Sequence, residues 1–240
     1  MTRRAPRPGL RSPRRTVALV ALLAGASGAY ARKPVPRSFE IVTHRMDVDV
    51  DGAPRAYGPP GKKTLDVLKH AHTGARMDAP VVGYMTRHDE PVVQGPHDPA
   101  PGYYVSQTAF EDESVENERD PRRYVDATAI NYVVLGDEAR RLGARLGDFV
   151  AVYSRRTHRS AFGIVGDSGN PTGDEGSLHL LQDLGYPFHD GRRESVEHGE
   201  IVIRFYPGSN PKHRFFRTQA ALDAAAGKLG LSRDFPGRPR

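Results

Sequence analysis

The chain reads as a mainly β protein, a closed barrel or a sandwich with a few short helices. Three observations predict this. Short runs rich in β-branched and aromatic residues recur along it, Gly, Pro and Asp punctuate them, and no regular alternation of helix with strand is apparent. At 240 residues it has room for one well-buried domain with appendages.

The elements follow in order. Met46, Val48 and Val50 alternate with Asp47, Asp49 and Asp51, the period of a half-buried strand, which ends at a turn on Gly52. Thr64 to His72 is a helix candidate, with Thr64 as its cap and Leu65 and Leu68 on one face. Pro80 to Met85, Val92-Val93, Tyr103 to Thr108, Tyr124-Val125, Tyr132 to Leu135, Phe149 to Ser154 and Ala161 to Val165 read as short strands. Ser177 to Leu184 reads as a helix stopped by Gly185, and Ile201 to Tyr206 as a late strand. Thr218 to Leu229 reads as an amphipathic helix capped by Gly230, in a peripheral tail with a disordered Pro/Arg end.

The formal net charge of +6 is unevenly placed. Six arginines and no acid fall within residues 1–31, the stretch 41–210 carries 19 basic against 26 acidic groups, and residues 211–240 carry seven basic against two acidic. A protein that tracks phosphates shows a basic stripe on its folded domain. Here the middle is acidic, which argues against nucleic acid and favours a cationic ligand. Residues 1–31 combine an arginine-rich start, an apolar run from Thr16 to Ala24 and the small-x-small site Ala29-Tyr30-Ala31. That is the pattern of a cleaved signal peptide, with Arg14-Arg15 leaving a twin-arginine route open, and the apolar run is too short to anchor the chain in a bilayer. Residues 32–38 then form a linker, 39–210 the folded domain and 211–240 a basic tail with a short helix. The absence of cysteine excludes disulfides, thiolate metal sites and thiol nucleophiles.

The informative stretch runs from Gly147 to Gly185, where two strands lead to Asp167, a Gly/Pro loop and then Glu175 at the start of a helix. Glycoside cleavage needs one protonated carboxyl to donate to the leaving oxygen and one carboxylate to activate water or attack carbon. Two carboxyls flanking a loop suit that chemistry, although an acid-rich chain offers many such pairs.

The ordered blocks MDVDVDGAPRAYGP, PVVQGPHDPAPGYYVSQTAF, RYVDATAINYVVL, LGDFVAVYSRRT, GDSGNPTGDEGSL and VIRFYPGS, spread over residues 46–207, resemble the chitosanases of glycoside hydrolase family 75. The resemblance implies endo-hydrolysis of the β-1,4-glucosaminide bonds of chitosan with inversion; the signal pattern makes the enzyme a secreted one, the two carboxyls need no cofactor, and a monomer is expected. It also implies a six-stranded double-psi β-barrel. The family's catalytic Asp and Glu fall on Asp167 and Glu175. We read Glu175 as general acid and Asp167 as general base, with the reverse assignment open. Asp174 stands where the family has glycine, and the loop between the two carboxyls is one residue shorter. Asp174 adds a charge that raises the affinity of Glu175 for its proton. Asp47, Asp49, Asp51 and Asp174 are candidates to attract the polycationic polymer, and Tyr103 and Tyr104 to stack against a sugar.

Two other classes stay open. A non-catalytic glycan-binding barrel would keep the acidic groove without turnover. GDSGNP is similar to the nucleophile segment of trypsin-like serine proteases, which would make Ser168 the nucleophile, but no AAH-type segment supplies its base. DVDVDG begins like a calcium loop yet has Gly58 where a bidentate Glu belongs, and His70 with His72 lacks a third ligand. No metal is expected.

Overall fold

A computed structural model describes residues 37–235. Residues 1–31, read above as a signal peptide, most of the stretch 32–38, read as a linker, and the last five residues lie outside the described residues. Eight strands form one mixed sheet: β1 (Phe39–Val42), β2 (Met46–Asp49), β5 (Tyr132–Leu135), β6 (Phe149–Ser154), β7 (Ser160–Ser168), β8 (Glu175–Ser177), β9 (Ser195–Val196) and β10 (Ile201–Tyr206). Their order is β1-β10-β6-β7-β5-β8-β2-β9, and the sheet curls into a half-barrel. Two pairs are parallel, β5 with β7 and β2 with β8. β3 (Thr86–Arg87) and β4 (Glu90–Pro91) make a separate hairpin.

The central strands explain themselves. YVVL in β5 and FVAVYS in β6 are buried at every position, which is why they read as continuous apolar runs rather than as alternation. β2 alternates because only its Met46 and Val48 side enters the core. Helix α1 (Asp137–Arg141) follows β5. Helix α2 (Leu178–Asp183) begins immediately after β8, where the Ser177 hydroxyl accepts from the Leu180 amide (3.2 Å), and Gly185 follows it at φ +91°. It packs against β2, β7 and β8 and so braces the strand that carries Glu175.

Two expectations about helices fail for physical reasons. Thr64 to His72 is no helix, since only Leu68–Ala71 makes a 3-10 turn. The local polar side chains take the backbone groups a helix would use. Thr64 donates to the Asp66 carbonyl (2.8 Å), and Asp66 Oδ1 accepts from the Val67 amide (2.6 Å). The tail is not peripheral either. Helix α3 (Gln219–Lys228) packs on β7 and buries Leu222 and Ala226, after which Leu231 and Phe235 are also buried, the Phe235 ring stacking on Tyr153 at 5.2 Å. Its caps are those expected, Thr218 before it and Gly230 at φ +70° after it.

The runs at 80–85, 92–93, 103–108 and 124–125 pair only through isolated bridges. Buried polar side chains do there what a sheet ladder does elsewhere. Gln94 donates to the carbonyls of Pro54 (2.7 Å) and Tyr104 (3.0 Å) and accepts from the Ala100 amide (2.9 Å). Ser106 accepts from the Gly52 amide (2.9 Å) and donates to the Gly83 carbonyl (2.7 Å). Gly52 is obligatory in this frame: it sits at φ +75°, and a Cβ there would lie 2.0 Å from the Val125 carbonyl oxygen. Among the described residues no helix is long and apolar enough to cross a membrane.

Candidate active site

Strand register places the two carboxyls of interest. Val134 of β5 is opposite Asp167 of β7, Val133 is opposite Gly176 of β8, and Glu175 is opposite Asp47 of β2. Asp167, Val134, Glu175 and Asp47 therefore form one row across four neighbouring strands, and residues of a row share a face. Asp167 owes its place in that row to a bulge. Val133 pairs with Val165 but Val134 pairs with Asp167, so Gly166 is the extra residue. A one-residue slip reverses every side chain beyond it, which makes this bulge the device that aims Asp167. Only glycine fits there, because a Cβ would stand 2.6 Å from the Tyr132 side chain.

Around Asp167 the chain gathers more acid. One carboxylate oxygen each from Asp49, Asp51 and Asp167 lie within 4.8 Å of one another. Each group is oriented by a donor on its Oδ1. Asp167 accepts from the amides of Ala109 (2.8 Å) and Ser168 (2.7 Å), Asp51 from the Tyr57 hydroxyl (2.7 Å), and Asp49 from the Asp51 amide (2.8 Å). The Tyr132 hydroxyl donates to the Asp51 carbonyl (3.0 Å). Asp167 is only 8 % exposed and Tyr57 2 %.

Burial and mutual repulsion hold protons on this cluster. Burial first, then the charge of Asp49, pushes Glu175 up to about 8. The same two causes, in the same order, hold Asp167 well above the usual carboxylate range. Burial also lifts Asp49 to about 6, and burial followed by the Asp49 charge holds Asp51 high. Three carboxyls this close, Asp49 and Asp51 half-buried and Asp167 buried, relieve their repulsion by holding protons more tightly than free carboxyls do. They are also the one group of metal-binding size among the described residues.

The remaining candidates fall elsewhere. Asp47 shares the row but is engaged by Arg45 (Nε to Oδ1, 3.0 Å). Asp174 is held by Asn170 (3.1 Å) and by the Thr172 hydroxyl, and its carbonyl accepts from the Asp47 amide (2.8 Å). Its charge does raise Glu175, though behind burial and Asp49. Tyr103 donates to the Lys63 carbonyl (3.1 Å) and its ring is covered by Lys62 at 5.0 Å. Tyr104 is a core residue, 9 % exposed, with its ring 5.0 Å from that of Tyr84. No histidine ring is hydrogen-bonded to Ser168 among the described residues: His70 engages Asp66, His72 the Ala79 carbonyl, His158 Tyr153 and His179 Asn131. His70 and His72 thus point to different partners, and the acids of DVDVDG divide between Arg45 and the Asp167 cluster.

Sequence reasoning missed Tyr57, Tyr132 and Asn170, which bonds the Glu175 side chain. No motif marks them. Two surface cavities, one lined by Arg37, Phe39, Leu142 and Pro207 and one by Leu135, Arg140, Leu146 and His213, include no acid of the cluster. The chain matches no protein-family model and no curated protein.

Proposed function

We propose that the protein is a secreted endo-acting glycoside hydrolase that cleaves the β-1,4-glucosaminide bonds of chitosan with inversion, acting as a monomer without a cofactor. Glu175 is the general acid and Asp167 the general base. The observation that carries this reading is the row: Asp167 and Glu175 share a face with one strand between them. Two strand spacings set their backbones about 9.5 Å apart. Inverting glycosidases hold their carboxyls roughly 6.5 to 9.5 Å apart, leaving room for the attacking water.

The raised proton affinity of Glu175 suits the acid role. A carboxyl pushed up to about 8 is protonated at neutral pH and can donate to the glycosidic oxygen. Asp167 is base only in its ionised form, in which it takes the proton of the water that attacks the anomeric carbon from the opposite face. The acids Asp47, Asp49, Asp51 and Asp174 favour a chain of protonated amines, and an extended polymer is gripped along a surface rather than inside a closed pocket. The finer architecture that accompanies this reading is a six-stranded double-psi barrel within the curled sheet.

The test is release of reducing ends from chitosans of differing acetylation by the mature protein, Asp167→Asn and Glu175→Gln. Activity in the parent and a loss of 100-fold or more in both folded variants is the expected result. Full activity in either variant refutes the assignment. Retention on chitosan without turnover by the parent identifies a glycan-binding barrel instead.

A further inference from the structure

We propose that the protein binds a phosphate-bearing ligand in a basic cavity formed by Arg140, Arg145 and His213, at the end of β5 and apart from the carboxyl row. The inference does not depend on the hydrolase reading and assigns a second site to the fold.

The stretch from helix α1 towards β6 carries Arg140, Arg141 and Arg145, three arginines in six residues. Elsewhere arginines lie on acids, Arg123 on Glu111 and Arg204 on Glu40, each at 2.6 Å. Arg140 and Arg145 are exposed, and among the described residues neither side chain makes an ion pair, a hydrogen bond or a ring contact. One such arginine is ordinary surface. These two line the same cavity, of about 420 Å³, together with His213, Leu135 and Leu146, and no acid lines it. Asp148, the acid nearest along the chain to Arg145, is buried and occupied by amides. Its Oδ2 accepts from Arg145 (2.9 Å) and its Oδ1 from Ser209 (3.1 Å), which ties the arginine loop to the turn that presents His213.

That turn is held in an unusual shape. His213 stands at φ +47°, in the left-handed region that residues with a Cβ rarely adopt. Asn210 locks it there: its carbonyl accepts from the His213 amide (3.0 Å), its Oδ1 accepts from the Arg214 amide (2.9 Å), and its Nδ2 donates to the carbonyls of Gly147 and Arg214 (3.0 Å each). The imidazole makes no hydrogen bond among the described residues, so backbone geometry keeps His213 on the cavity wall. The carboxyl row does not share this space. Val134 is opposite Asp167 and belongs to the row, whereas Leu135, next along β5 and opposite Ser168, turns to the other face of the sheet and into the cavity wall.

Two guanidinium forks and an imidazole offer more donors than the two oxygens of a carboxylate can use, and they suit the several oxygens of a phosphate. A second cavity of about 660 Å³ shares Gly143 and Arg145 with the first and adds Arg37, Phe39 and Leu142. A ligand with one phosphate between Arg140 and Arg145 can therefore continue past Gly143 towards a third cation.

Titration of the mature protein with inorganic phosphate, followed by 31P NMR at constant ionic strength, tests this without chitosan and so independently of hydrolysis. Saturable binding is expected, weakened about tenfold or more in Arg140→Gln and in Arg145→Gln, the loss of one charge-assisted contact. His213→Gly should weaken it too, while keeping the turn, because glycine accepts φ +47°. Arg141→Gln, outside both cavities, should leave it unchanged. Poly(glycerol phosphate) titrated in parallel separates the sources of the group: tighter binding per phosphate that Arg37→Gln brings back to the level of the free ion marks a phosphodiester chain spanning both cavities, and equal affinity marks the free ion. Absence of saturable phosphate binding overturns the proposal. So does acetate binding as tightly as phosphate, or a loss in Arg141→Gln equal to that in the cavity variants, which would reduce the effect to net charge. Should one arginine variant fail to fold, the other and His213→Gly decide the matter.

Discussion

Glu175→Gln should make the protein more stable while abolishing turnover, and the gain should depend on pH in a fixed direction. The side chain is largely withdrawn from water and beside Asp49, which moves its proton affinity from 4.5 to about 8. Between those values the folded protein keeps a proton that the unfolded chain has released. Stability therefore falls as pH rises through this window: the contribution is fully present below about 4.5 and lost above about 8. The interval corresponds to about 5 kcal/mol, an upper figure because the titration is shared with Asp49. Glutamine has nearly the same shape, keeps a carbonyl for the Asn170 contact and carries no charge at any pH. Urea denaturation from pH 4 to 9 should then give matching stabilities at pH 4 and an advantage for Glu175→Gln of roughly 2 to 5 kcal/mol at pH 9. In thermal melts the same advantage is on the order of 10 °C for a domain of this size. Asp51, Asp167 and Asp49 titrate in both proteins, so the difference between the two curves reports Glu175 together with its coupling to them. Parallel curves across the range would refute the claim that Glu175 is held protonated by its surroundings.

Two further substitutions test how the fold supports the site. Gly136 and Gly173 meet backbone to backbone beneath the loop that leads into Glu175, and a Cβ on Gly136 would stand 2.8 Å from Gly173 Cα. Gly136→Ala should cost about 1 to 3 kcal/mol in denaturant melts and lower kcat on chitosan by roughly tenfold or more by displacing that loop. Leu222→Ala, in a fully buried position of α3, should cost about 2 to 5 kcal/mol while leaving kcat unchanged well below the melting temperature.

Much of the scaffold was legible from local pattern. β5, β6 and β10 span the runs read from their apolar residues, and the ends of α2 and α3 fall at Ser177, Gly185, Thr218 and Gly230, because capping and burial act over a few neighbouring residues. Where side chains compete with the backbone, as at Thr64 and Asp66, local pattern misled, since the outcome turned on which hydrogen bonds the surrounding loops left open. The apolar face of α3 was visible but its destination on β7 was not, and so the tail passed for an appendage.

The site divides in the same way. Sequence by itself supplied the acids: the alternating Asp47, Asp49 and Asp51, and Asp167 with Glu175 across a glycine-rich loop. Tertiary structure alone decided which of them meet. A bulge at Gly166 turns Asp167 into the row of Glu175, and the curl of the sheet carries Asp49 and Asp51 to Asp167 across more than a hundred residues of chain. Proton affinity follows from burial and from charges brought close in space, neither of which is a property of spacing along the chain.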